Sequence, residues 1–253
     1  TTSHCYAHRG VVRSIGGLFL DLGKFKLRNV FKRISVWFNP SRDPFNNFDY
    51  LINLHKKHNV KSMFFFQFAN YSHFDKNISP NNNKFRHLIK AIADYSLVSL
   101  SASYNSFNDI DLLKDEKRKL GAVIHRPIKY VRYRFNRIEI PRSYRELVDA
   151  DFRDDYSMGY SNAIGFRAGT CTPFFFYDIH LEHQQPVRIH CFAAHDYTLV
   201  SKRNSGEALE MLDKVYKVTK EVDGEFITIF SNENLGGRHR IDWLKLYKTT
   251  ITK

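Results

Sequence analysis

Cysteine is scarce in this 253-residue chain, and its three copies, Cys5, Cys171 and Cys191, are an odd number without a CxxC pair. That excludes the disulfide framework of a small secreted domain and the ligand pairs of a zinc knuckle, and it suits a reducing compartment. Long apolar runs are missing too. None approaches the ~18 residues of a membrane span, and the longest, near Leu18, is cut by Asp21, Gly23 and Lys24. The opening, TTSHCYAHRG, lacks the pattern of a secretory leader. These absences set the expectation of a cytoplasmic protein. No internal repeat and no low-complexity linker divides the chain, so residues 1–253 read as a single domain, a size at which α/β barrels are common.

Acidic residues are in deficit: 26 Asp and Glu stand against 39 Lys and Arg, a net charge of +13. Phosphates, anionic lipid surfaces and acidic glycans are neighbours such a charge attracts. A plainly solvated basic surface is the alternative.

What is present is a regular alternation of helical and strand patterns. Leu27, Val30, Phe31, Ile34 and Phe38 fall at helical spacing, with Lys24, Arg28 and Lys32 on another face. Packing of this helix against its own domain is the expected reading; docking on an anionic membrane or a partner is the alternative. A helix over residues 45–59 follows. KSMFFFQF (61–68) is an apolar run too short for a buried helix, so it reads as an interior parallel strand. Further helices are expected at 84–96, 109–121, 142–150 and 206–222. Further strands are expected at 97–100, near 129–133, ending near Phe166, at 187–192 and at 225–230. Alternation of this kind implies a parallel sheet, closed or open, with functional groups at the carboxyl ends of its strands.

Those ends deliver Ser101, Tyr104 and Asn105 after the 97–100 strand, Arg132 and Arg134 after the next, and Arg167 within GFRAGTCTPF. They then deliver His195 and Asp196, and finally Ser231 and Asn232. The result is a polar mouth containing arginines.

DPFNNFDYLINLHKKHNVKSMFFF, FDKNIS, VSLSASYNS, DYSMGYSNAIGFRAGTCTPFFFYDI and HDYTL, in this order and over most of the chain, resemble a branch of the polysaccharide deacetylase family. These are metal-dependent carbohydrate esterases with an irregular (β/α) barrel. The resemblance implies that fold, lacking its first strand, because the family's first Asp-containing motif finds no counterpart here. It also implies a metal-binding His where Ser101 stands, a second family His where Arg134 stands, and a general-acid His where Ser231 stands. Arg132, Arg167, Asp196 and Asn232 match the family pattern.

Metal-dependent removal of an acetyl group needs a divalent ion to activate water, a base and an acid. A hydroxyl neither ligates nor titrates as imidazole does. The expectation is therefore a deacetylase-like protein without metal-dependent hydrolysis, no cofactor, and a pocket for a carbohydrate or sugar nucleotide. Its lining is Ser101, Tyr104, Asn105, Arg132, Arg134, Arg167, Ser231 and Asn232, with His195 and Asp196 as the remaining acid/base pair. The alternative is an active deacetylase of cell-surface polysaccharide with its first motif upstream and a metal such as zinc held differently.

Other constellations are weaker. His4, Cys5 and His8 have helical ligand spacing without a third partner group in view, and His55/His58 and His180/His183 look like exposed helix ends and loops. A Ser101 or Ser231 nucleophile lacks a GxSxG elbow, and adjacency makes it awkward for Asp196 to hold His195. HRPIKYVRYRFNR (125–137) interleaves basic and aromatic residues, but without a nucleic-acid motif binding to nucleic acid is not expected.

Overall fold

The computed structural model describes residues 11–23, 25, 27–39, 43–201, 205–236 and 240–252. His4, Cys5, His8 and Lys24 lie outside the described residues, as do the side chains of Arg28 and Lys32. The chain opens with helices α1 (Val11–Gly23), α2 (Leu27–Phe38) and α3 (Phe48–His58). It continues as β1 (Met63–Phe66), α4 (Asn83–Ala93), β2 (Leu97–Ala102), α5 (Ile110–Ile124), β3 (Tyr130–Tyr133), α6 (Arg142–Asp149) and β4 (Asp154–Asp155). Then come β5 (Phe174–Asp178), β6 (His183–Ile189), β7 (Ala194–His195), α7 (Asp196–Ser201), α8 (Ser205–Glu221), β8 (Thr228–Ile229), α9 (Asn232–Gly236) and α10 (Arg240–Ile251).

A six-stranded sheet runs β1-β2-β3-β4-β6-β5, and β7 pairs with β8 in a second, two-stranded sheet. All neighbours are parallel except β5 and β6. The register sets Phe66 beside Leu100, and Ser101 beside Arg132. It thereby gathers the ends of β1, β2 and β3 on one rim.

Helices cover the sheet where their apolar stripes demand it. α4 buries Phe85, Ile89, Ile92 and Ala93, and Asn82 caps it by accepting from the Phe85 amide at 3.1 Å. α5 buries Leu113, Leu120 and Val123, with Asp109 capping Leu112 at 2.9 Å. Cap oxygens of this kind satisfy amides that a helix start leaves without partners. The main core joins these helices to Leu100, Ala102, Val131, Tyr133 and Ile189 of the sheet.

Four expectations need correction. The strand ending near Phe166 is absent: after the two-residue β4, residues 156–173 form irregular backbone whose few pairings, such as Gly165 to the Ala193 carbonyl at 2.8 Å, make no ladder. The strand expected at 187–192 instead covers 183–189 and folds antiparallel on β5, because residues 179–182 form a tight turn rather than a crossover. The strand expected at 225–230 shrinks to Thr228–Ile229. Finally, the apolar stripe of α2 is divided: Val30 is buried and Ile34 half-buried, with Val36 buried beside them, while Leu27, Phe31 and Phe38 are exposed.

Candidate functional site

The loop after β2, SASYNS, contains no acid, yet two buried carboxylates from other elements reach its backbone. Asp75, in the loop after β1, accepts from the Tyr104 amide at 3.0 and 3.1 Å, from Ser72 Oγ at 3.1 Å and from Gln67 Nε2. Glu116 of α5 accepts from the Ser103 amide at 3.1 Å. Ser103 and Ser106 bond each other's main chain at 3.0 and 3.1 Å, so the serines close the turn rather than line the mouth. Burial lifts the Glu116 carboxyl to about 7, against the bonds from Ser103 that favour its ionised form. Ser101 is itself buried, 4% exposed.

The end of β3 supplies two arginines with different surroundings. Arg134 Nη1 donates to Gln67 Oε1 at 2.6 Å, and its Nε lies 3.8 Å from Asp75 Oδ1. The guanidinium is therefore drawn across the rim onto the end of β1. Arg132 points inward: its Nη2 donates to Asn136 Oδ1 at 2.7 Å and its guanidinium lies 5.6 Å from the Phe192 ring. Burial pushes Arg132 down to about 10, opposed by the carboxylates of Asp196 and Asp155.

Asp155 faces that interior. It accepts from Ser157 Oγ at 2.5 Å, and burial raises it to about 6 against those bonds and Arg132. Its neighbour Asp154 lies on the opposite face of the strand, as strand alternation requires, where Arg188 reaches it at 2.9 Å. His190 joins the same outer cluster, with Nε2 2.8 Å from Asp154 and Nδ1 2.8 Å from Glu225.

At the junction of β7 and α7, His195 Nδ1 stands 2.7 Å from Asp196 Oδ1. Adjacency does not prevent their contact, because the chain turns from strand to helix between them and the side chains no longer diverge. Asp196 Oδ2 also accepts from the Ser231 amide at 2.7 Å, Ser231 Oγ at 2.5 Å and Asn234 Nδ2 at 2.9 Å. Burial alone would raise the Asp196 carboxyl, but His195 and Ser231 together outweigh it and hold it at about 2. His195 is pushed down by burial, with Asp196 opposing. The Ser231 hydroxyl thus donates to a carboxylate rather than to an imidazole, which is not the order of a Ser-His-Asp relay.

The remaining expected residues are spread around this centre. Asn232 is buried and donates to the Phe45 carbonyl at 3.2 Å, and exposed Arg167 donates to the Asn136 carbonyl at 3.4 Å. Asn105 is exposed beside half-buried Tyr104. Tyr104 lies 4.1 Å from Phe74 ring to ring and 6.0 Å from Phe135, with the Arg137 guanidinium 4.3 Å from its face. The three rings and the cation form an aromatic platform at the mouth. His55, expected on an exposed helix end, is buried and shares a hydrogen bond with Tyr247 Oη, because α10 covers that side of α3.

Three similarly folded proteins can be compared once this geometry is known. No family model matches the sequence, and no curated protein matches it. A Mycobacterium smegmatis protein assigned as a polysaccharide deacetylase superimposes with TM-score 0.57 over 97% of this chain and 81% of its own, at 9% identity. A Pseudomonas aeruginosa PAO1 protein assigned likewise gives 0.54 over 87% and 69%, at 12% identity. PuuE allantoinase gives 0.53 over 79% and 63%, at 10% identity.

The fold is of polysaccharide-deacetylase type.

In such a fold the carboxyl ends of the strands hold the chemistry, and here that rim carries the two arginine–carboxylate clusters. A divalent metal does not fit the described side chains there. The Arg134 guanidinium stands at this rim beside Gln67 and Asp75, and a guanidinium repels a cation. Among the described residues, no three His, Cys, Asp or Glu side chains gather to hold an ion. What the arrangement offers is a set of fixed donors and acceptors beside exposed rings.

Sequence reasoning passed over Gln67, Phe74, Asp75, Glu116 and Asp155. Asp75 and Asp155 carried a signal, since both fall inside segments on which the resemblance rests. Glu116 carried none, being one charged residue among many on a helix. A separate cleft of about 680 Å³ lies near the start of β3, at the opposite end of the sheet, lined by Lys117, Arg126 and Asp151 among others. Two of its cations are engaged with main-chain carbonyls: Lys117 Nζ donates to the Ala150 and Asp151 carbonyls, both at 2.7 Å, and Arg126 to the Ala93 carbonyl at 3.0 Å.

Proposed function

We propose that this chain is a polysaccharide-deacetylase-like carbohydrate-binding protein that does not carry out metal-dependent hydrolysis. The observation that carries the reading is the placement of Arg134, whose guanidinium bonds Gln67 and approaches Asp75 where the family resemblance puts a catalytic imidazole. A fixed positive charge there disfavours a divalent ion. Ser231, at the general-acid position, is committed to Asp196 and titrates nowhere near neutrality.

The ligand is a glycan or a sugar nucleotide. Sugar rings present an apolar C–H face and a polar edge, which suits rings bordered by fixed polar groups. Phe74 and Phe135 are exposed, and Tyr104, Asn105 and Arg134 border them. The deacetylase names of two neighbours in fold point toward the same class of ligand.

The test has two arms. Metal analysis and release of acetate from N-acetylated sugars should both be negative; stoichiometric zinc or cobalt-stimulated turnover overturns the loss of hydrolysis. Calorimetry with N-acetylglucosamine oligomers and with a uridine diphosphate sugar should give binding that Tyr104→Ala weakens by about tenfold. No binding of either, or binding indifferent to Tyr104, overturns the pocket.

A further inference from the structure

We infer that the hairpin of α1 and α2 docks this protein on the surface of an anionic lipid bilayer. Each helix exposes a set of large apolar side chains at helical spacing. Ile15, Phe19 and Leu22 recur at helical spacing on α1, all exposed, with Leu20 beside them. Leu27, Phe31 and Phe38 form the corresponding stripe on α2, and Phe25 stands between the helices. Phe19 is 67% exposed, Phe31 71%, and Phe25 and Phe38 88% each. Scattered surface hydrophobics are ordinary, but a stripe of phenyl and leucyl side chains on adjoining helices is an interaction surface.

The charge of the same segment selects the occupant. Residues 11–38 contain Arg13, Lys24, Lys26, Arg28, Lys32 and Arg33 against a single acid, Asp21. A second copy of this chain would bring the same excess of positive charge to the interface, where like charges repel. An anionic bilayer matches both components, its acyl boundary suiting the exposed apolar side chains and its charged headgroups the positive charge of the segment. The helices lie in the surface plane rather than across it. At 13 and 12 residues they reach only about 20 Å, short of the ~30 Å hydrocarbon core. No helix among the described residues is long and apolar enough to cross a membrane.

Flotation of the whole chain with vesicles of phosphatidylcholine containing roughly 30% phosphatidylserine tests this. Binding is expected, at least tenfold weaker on phosphatidylcholine alone and lost at high salt. The variant Phe19→Ser/Phe31→Ser, altered only at exposed positions, should abolish flotation while keeping the circular dichroism and unfolding midpoint of the parent. Sedimentation velocity of both proteins, without lipid, should show one monomeric species. The proposal is overturned if the parent does not float, if flotation ignores lipid charge, or if it survives the double substitution. It is equally overturned if the parent is a dimer that the substitutions dissociate, since the occupant is then a second copy.

Discussion

Asp75 is 1% exposed and accepts from three partners through both carboxylate oxygens, with Arg134 beside it. A buried anion held this way is stable only while its donors remain. An Asp75→Asn substitution keeps the shape but turns one acceptor into a donor facing the Tyr104 amide. Unfolding in urea should show a loss of about 2–4 kcal/mol; a loss within error of zero would mean the loops are held by other contacts. Glu116 behaves differently, because burial holds its folded pKa at about 7, above the ordinary glutamate value of 4.5. The protonated carboxyl's stabilisation is present below pH 4.5 and is lost as pH rises through about 7. Glu116→Gln keeps an acceptor for Ser103 without the ionisation. The fall in stability between pH 5 and pH 8 should therefore shrink by roughly 1–3 kcal/mol, and parallel pH profiles for the two proteins would refute this.

Single elements differ in how clearly the sequence announces them. α4 and α5 combine an apolar stripe with a capping Asn82 or Asp109, while β2 and β3 are short, largely buried runs and β1 a short apolar run that is half-buried; local chemistry and apolar pattern agree, so all five are legible. Residues 156–173 mislead, since Tyr156, Met158 and Phe166 imitate a strand while their backbone pairs only at isolated points. The β5–β6 hairpin is hidden from the sequence because its turn, residues 179–182, lacks the Gly-rich signature of a tight turn. A close approach of elements was equally hidden. A Cβ at Gly236 of α9 would meet the Pro44 carbonyl at 2.4 Å and Phe45 Cα at 2.7 Å, both main-chain atoms that cannot swing aside. Gly236→Ala should cost on the order of 1–3 kcal/mol and lower the thermal midpoint measured by calorimetry, whereas an unchanged midpoint would show that the 43–47 segment yields.

Among the described residues, buried apolar contact is concentrated between the six-stranded sheet and α4 to α6, while most of the described side chains of α1 and α2 are exposed. Regions with few buried contacts open at low free energy. Hydrogen exchange followed by mass spectrometry should therefore show fast exchange in residues 11–38 and slow exchange in β2, β3 and β6. Uniform protection throughout the chain would contradict that division. The net charge of +13 acts at this scale as well, drawing polyanions toward the molecule without choosing among them.

By itself the sequence determined the α/β class and the parallel strands at the rim, because these depend on residue type and short-range spacing. Tertiary structure alone decided that Asp75 and Glu116 grip the SASYNS loop, that Arg134 crosses to Gln67, that Asp196 holds Ser231, and that α2 buries Val30 while leaving Phe31 and Phe38 exposed. Each of these joins groups far apart along the chain or depends on which neighbour covers a face. Spacing within one segment contains no information about either.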